Sequence, residues 1–553
     1  MLKSYYSAVF MILLSYHIDA QGTFSGSLQF NADFYMLDSN IQAPKDITLN
    51  YTNNKTSTDS WFKLVYSNAD YGIDAGVRFD VFNNSIIFTP LNPYSGYGIG
   101  NWYITKSFQR AKITAGNFYE QFGSGIAFRA YEERALGIDN SLLGVNIELN
   151  PTKDIRIKAI AGLQKYQFEY IKSFIKGINI DYNKSLSEKV SINPGISAIA
   201  RTLDQTTRDV VKGTIETYAD SLKFASPFNT YVFSFYNTLR IYNFSWFFEG
   251  AYKTKEAIYY PETYTGKYEN KDGNIFYTSL SYSVKGFGVT AQLKRTENFS
   301  FHSTNVAETN INKLNSTRLN FIPATQKQHS LRLPSRYVAA SQEIEEYAAA
   351  IDFTISLSPK YGINIHSSYI NSLGRNLQAK GDSMNLYLEG YIDFEFKKSK
   401  NGKTKGMVGV QYQRYNQKFY QGAEWKNKVN AITGFGEFTY KFTKKKSLRA
   451  ELQYQYVPRD FGQWLYALVE FNIAPKWSFS VSDMWNFVPN KDNAIEVNHT
   501  PKHYYTAFSS FTFKQHKFTL GFIKQVGGII CTGGVCRPEP AFSGIRFSMN
   551  TSF

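Results

Sequence analysis

From residue 24 onward the chain is built of short segments in which apolar and polar side chains alternate one for one, a pattern that extended backbone sorts onto two faces. In FSGSLQFNADFYM, residues 24 to 36, Phe24, Leu28, Phe30, Ala32, Phe34 and Met36 share one face, and Ser25, Ser27, Gln29, Asn31 and Asp33 share the other. The same division sets Ile73, Ala75, Val77, Phe79 and Val81 against Asp74, Arg78 and Asp80. It sets Ile155, Ile157, Ala159, Ala161 and Leu163 against Arg156, Lys158 and Gln164. It also sets Leu386, Leu388, Ile392, Phe394 and Phe396 against Asn385, Glu389, Asp393 and Glu395, and Leu448, Ala450, Leu452, Tyr454 and Tyr456 against Arg449, Glu451, Gln453 and Gln455. A soluble β-sandwich alternates too, but one sheet system seldom extends beyond about 250 residues. Here the pattern continues through a 553-residue chain without a linker or a helical stretch. A single antiparallel sheet closed on itself is the simplest account, because closure leaves no unpaired edge.

Turn signals give the order of that sheet. Short turns are expected at NADYG and near residues 109–111, 150–154, 185–189, 241–243, 284–286, 358–362, 397–406, 443–447, 474–476 and 514–517. Between them the connections are mostly longer and rich in Asn, Ser, Thr and Tyr. With both termini at the short-turn end, about eleven such turns imply about 24 strands, within a range of roughly 20 to 26. The expectation is an all-β, up-and-down transmembrane barrel over residues 21–553. Charged residues must then face inward, since Arg or Lys facing lipid near the midplane costs about 2 to 4 kcal/mol.

The ends of the chain agree with export. Residues 1–20 carry an early Lys3, an apolar run through Leu14 and Ala20 before Gln21, which reads as a cleaved signal peptide. Beyond residue 20 no apolar run is long enough for a transmembrane helix. The last strand sets Ile545, Phe547, Met549, Thr551 and Phe553 against Arg546, Ser548, Asn550 and Ser552. A closing strand of this kind, terminal aromatic included, resembles those of bacterial outer-membrane β-barrels. That resemblance implies that Ile545, Phe547 and Phe553 close the barrel against the strand bearing Phe24 and Phe30. No plug domain precedes the first strand, which disfavours an energised plug-type transporter.

Aromatic residues make up 17% of the chain, with 45 Phe and 41 Tyr spread along its length, as the aromatic girdles of such barrels require. A mean hydropathy of −0.35 is compatible, because half of every strand faces water. The net charge of +16 would suit a polyanion-binding surface, but much of the excess lies in turns, at Lys397, Lys398, Lys400, Lys403, Lys405 and Lys444, Lys445, Lys446. No nucleic-acid partner is expected. Cys531 and Cys536 are the only cysteines and lie in one loop of an exported chain, so a disulfide is expected. A metal site would need more ligands than this loop offers.

Two stretches break the alternation. Residues 116–144, GNFYEQFGSGIAFRAYEERALGIDNSLLG, gather Glu120, Arg129, Glu132, Glu133, Arg134 and Asp139 among glycines, which suits a loop folded into the barrel mouth as a constriction, or an ordinary ordered loop. Residues 297–343 form a second long insertion, basic around Arg318, Lys327, Arg332 and Arg336, that would be a lid, a constriction or a docking surface. An enzyme is weighed on His366 and Ser368, two apart on one strand face, but SSYIN follows rather than a lipase-like continuation. No catalytic residue, metal or cofactor is expected.

FGSGIAFRAYEERALGIDNSLLG and GGIICTGGVCRPEPAFSGIRF together resemble an uncharacterised family of outer-membrane barrels of the Bacteroidota, over essentially the whole mature length. The resemblance implies location and fold and is nearly silent about activity. Two functions stay open. One is a porin-like passage for polar solutes, anionic or sugar-like. The other is an accessory subunit of an outer-membrane secretion or barrel-assembly complex, with other outer-membrane or periplasmic proteins as partners besides the lipids.

Overall fold

A computed structural model describes residues 22–38, 54–88, 92–308, 311–377, 384–398, 402–421, 428–490 and 500–553. The expected signal peptide lies outside them. One antiparallel sheet runs from Thr23–Tyr35 to Phe542–Ser552, and these two strands pair with each other, Phe30 opposite Met549 and Phe34 opposite Ile545. The sheet contains 25 strands, of which the four-residue Lys184–Ser187 continues the line of Glu169–Tyr182 along a shared neighbour. The result is a closed barrel of 24 staves. No helix among the described residues is long and apolar enough to cross a membrane.

Consecutive staves are joined at one end by short connections at each of the eleven turns read from the sequence, the tip at 399–401 lying outside the described residues. The outer wall has three zones. Exposed aliphatic side chains, among them Ile99, Ile196, Leu280, Val408, Leu452, Val481 and Leu520, form a middle band. At the turn end the band is bordered by Tyr71, Phe108, Tyr242, Trp246, Phe442, Trp477 and Phe513, and at the loop end by Tyr97, Tyr231, Tyr252, Tyr347 and Tyr505. Aliphatic side chains belong in hydrocarbon, and aromatic rings with a polar edge belong at its two interfaces.

Leu386 departs from the expected lipid-facing row. The pairing slips between Ile370 and Asn371, and Leu386 is buried in a cluster with Tyr337 and Tyr415.

Inside, the two ends of the barrel differ. On the stave Ile155–Tyr166, inward Arg156 near the turn end is exposed while inward Gln164 near the loop end is buried. On Lys446–Tyr456, Arg449 retains 30% side-chain exposure, whereas Gln453 and Gln455 are buried. The loop half is filled by residues 119–141 and, among the described residues of the second insertion, 298–308 and 311–344, folded inward.

Candidate functional site

Residues 119–141 enter through a tight turn. Gly125 N–H donates to Phe122 O at 2.9 Å, with Gly123 and Gly125 at φ of 55° and 98°. A side chain at 123 would also press on the Glu249 carboxylate, to which the Ser124 N–H donates at 2.8 Å. Beyond the turn, Ile126, Ala127 and Phe128 join Phe122 in a buried cluster with the inward side chains Ile160, Ile175, Ile199 and Val232. These isoleucines and valine occupy polar-face positions of the wall, so the lumen here is a hydrophobic core.

Of the six charged residues singled out in this stretch, Glu120, Glu132, Arg134 and Asp139 fasten it to the wall, while Arg129 and Glu133 act within the insertions. Glu120 accepts from Lys158 Nζ at 2.6 Å and from Asn146 Nδ2 at 3.1 Å. The Arg129 guanidinium lies 4.5 Å from the Tyr131 ring centre and 4.2 Å from that of Phe321, so it bridges the two insertions. Glu133 caps the short 3-10 turn Arg134–Leu136 by accepting from Ala135 N–H. Arg134 donates to Glu132 and to Gln29 on the first stave, and lies over Trp61. Glu132 and Asp139 each accept from Arg78 at 2.7 Å, while Arg78 also grips Asp80 with two bonds of 2.7 Å. Asp139 takes two further donors, Lys165 Nζ at 2.5 Å and Tyr119 Oη at 2.8 Å. Burial alone would raise the Asp139 carboxyl, but Lys165 and Arg78 hold it down at about 2.

Lys165 sits at a lipid-face position of its stave. A register shift between Leu163 and Lys165 turns it inward to this cluster.

Residues 298–308 and 311–344 have little secondary structure beyond the short helix Ile311–Thr317, and side chains of the wall donate to several of their carbonyls. Three buried cations donate to carbonyls of the segment: Arg201 to His302 O at 2.6 Å, Lys253 to Ser300 O, and Lys294 to Pro323 O at 2.6 Å. Arg201 and Lys253 share Glu256, and Lys294 pairs with Glu346 at 2.6 Å. Further round, Gln411 and Gln413 donate to Pro334 O, Gln413 also to Tyr337 O, and Gln455 to Leu333 O. A buried irregular backbone needs partners of this kind. Within the segment, Arg318 and His302 flank Glu343 at 2.5 and 2.9 Å and hold its carboxyl well below the usual range although burial opposes them.

The strands Gly528–Thr532 and Val535–Glu539 form a hairpin bridged by the Cys531–Cys536 disulfide, and it lies across both insertions. Arg537 Nε donates to Ala135 O, Asn315 Nδ2 to Cys536 O, and Ser341 N–H to Gly534 O. Between this hairpin, residues 332–338 and the wall around Asp460, Lys502 and Tyr504 is a cavity of about 450 Å³.

The seam carries the residues expected to close the barrel. Phe30 packs on Phe547 at 6.2 Å, Ile545 faces Phe34, and Phe553 exchanges two backbone bonds with Gly26, whereas Phe24 lies beyond the paired register and packs instead on Tyr66 of the second stave at 4.9 Å. His366 and Ser368 are both buried, and His366 Nδ1 is engaged with Asp352 at 2.8 Å. Among the described residues, no three His, Cys, Asp or Glu side chains are grouped to hold a metal.

The family of unknown function DUF6029 matches the sequence from residue 1 to residue 553. The chain belongs to that family. No curated protein is similar to this DUF6029 member. Among solved structures, the siderophore receptor PirA from Pseudomonas aeruginosa is similar at 9% identity and a TM-score of 0.43, over 96% of this chain and 80% of that one. The P pilus usher PapC translocation pore is similar at 9% identity and a TM-score of 0.44, over 96% and 99%.

Proposed function

We propose that the protein is a gated channel of the bacterial outer membrane for polar, anionic solutes, exported through a cleaved signal peptide at residues 1–20. The insertions 119–141 and 298–344 are its gate. The observation that carries this reading is the contrast along the lumen. Towards the turn end, which would face the periplasm, the wall is polar and wet, with Arg156 at 44% and Arg449 at 30% side-chain exposure. Towards the loop end the way is closed by the two insertions, held to the wall by side-chain contacts and hydrogen bonds. Twenty-four staves enclose far more space than a membrane anchor needs, and a gate held non-covalently can open. The apolar band would contact outer-membrane lipid, and the water-exposed arginines of the open lumen, Arg156 and Arg449, are the groups an entering anion would meet.

Planar-bilayer recording tests this. The wild type is expected to conduct in rare, small steps, and an Arg78→Gln/Asp139→Asn variant, whose first insertion is loosened, in larger and more frequent ones. Absence of steps in both proteins, with insertion verified, would sink the channel.

A further inference from the structure

The cavity beneath the disulfide hairpin presents two arginines to empty space. Arg332 lies between Leu331 and Leu333, which are buried in separate clusters with Phe435 and Trp464. Its backbone is pinned on both sides, by Ser335 N–H to Leu331 O at 3.3 Å and by Ser335 Oγ to Arg332 O at 3.0 Å. The Arg332 side chain is thereby displayed into the cavity. Arg336, on the next turn of chain, lies 4.4 Å from the Trp464 ring centre and 5.2 Å from that of Phe461, and its Nε is buried without an acceptor among the described residues. Burial and the neighbouring Arg336 both push the Arg332 guanidinium down, and Glu539 pulls the other way. Arg332 is exposed and Arg336 half-buried on the same cavity wall, and two like charges facing one space repel each other, which a bound anion would relieve.

The carboxylates on the same walls add a second requirement. Asp460 is oriented by Tyr337 Oη at 2.9 Å and Gln417 Nε2 at 2.8 Å, and a carboxylate so held retains lone pairs for further donors. Glu539 lines the same cavity. Guanidiniums that take an anion, next to carboxylates that take hydroxyl protons, match a solute bearing both kinds of group. A volume of about 450 Å³ is within the ordinary range for a small-molecule site.

We propose that this cavity binds a polyhydroxylated solute carrying a carboxylate or phosphate group, with Arg332 and Arg336 holding the anion and Asp460 and Glu539 the hydroxyls. The inference rests on the reading of the barrel as a passage for anionic solutes, and names the class it admits.

Calorimetric titration of the full chain in detergent micelles tests it, with galacturonate and glucose 6-phosphate as acidic probes and galactose as the neutral one. At least one acidic probe is expected to bind more tightly than galactose, and Arg332→Gln or Arg336→Gln to weaken it by about tenfold or more. The comparison between acidic and neutral probes uses wild-type protein alone, so it survives a variant that fails to fold. Acidic probes that bind no better than galactose, or that bind folded R332Q and R336Q unchanged, overturn the site. Conductance without such binding removes this inference and leaves the channel; binding by a protein that never conducts supports the site and removes the channel.

Discussion

The two ends of the lumen are built from the same staves and differ in what covers them. Near the turn end Arg449 sits among Glu437, Glu451 and Glu470 at 2.9, 2.5 and 3.7 Å, with water reaching its guanidinium. Midway along its stave, where residues 119–141 cover the wall, Arg78 holds Asp80, Glu132 and Asp139 with only 5% of its side chain exposed. Each is an arginine among three carboxylates. The difference teaches that the inward polar row of a barrel is no single environment: where an insertion covers it, an ion cluster becomes a structural bond, and where none does, it remains a solvated wall.

The strongest way to break the comparison is Arg78→Ala. Removing this cation takes both short bonds from buried Asp80 and leaves Lys165 and Arg134 alone against three carboxylates, at a cost of about 3–5 kcal/mol. Hydrogen exchange in residues 119–141 should rise steeply while the wall stays protected.

Acid gives a smaller effect through the same cluster. The Asp139 carboxyl is held at about 2, below its ordinary 3.8, so its contribution is present above about pH 4 and is lost as the pH falls towards 2. The loss is on the order of 2 kcal/mol. Exchange of the segment should accelerate over that window, and less so in Asp139→Asn; equal acceleration in both would place the effect elsewhere.

Reducing the Cys531–Cys536 bridge should cost the hairpin 528–539 about 2 kcal/mol or less, because the loop it closes is short. The readout is exchange in the hairpin itself, and in unreduced, denatured protein neither cysteine should react with a thiol label.

Arg449→Ala is the smallest, at about 1 kcal/mol or less, because its partners remain in contact with water. Denaturant unfolding compares it with Arg78→Ala, and equal costs would erase the distinction between the two ends.

The wall was legible in the sequence because alternation and turn residues are local signals. Ten of the eleven turns carry an Asn, Gly, Lys or Pro that interrupts the period of two, the turn Gln-Arg-Ala at 109–111 being the exception, and Glu389 and Gln453 face inward as their parity requires. The interior was less legible. The break in pattern at 116–144 marks an irregular segment, but its partners Arg78 and Glu249 are far away in sequence and look like any other polar wall residue. Lys165 occupies a lipid-side parity and is turned inward by one register shift. The second insertion is held largely through its carbonyls, by Arg201, Lys294, Gln411 and Gln413, and a carbonyl leaves no mark on a sequence.

The seam has a consequence for assembly. Every other junction in the wall joins strands that follow one another along the chain, so each can find its register as a hairpin. The seam joins Asp33 to Arg546, 513 positions apart, through bonds of 2.6 and 3.0 Å. Among the junctions between staves it is the one of very high sequence separation, and it must wait until the remaining strands exist. Nothing local sets its alignment, and a slip by one residue would turn Arg546 out into hydrocarbon and an apolar neighbour into the lumen. The Asp33–Arg546 pair is therefore a proofreading contact for closure: it forms in one alignment of the two strands and penalises the adjacent ones.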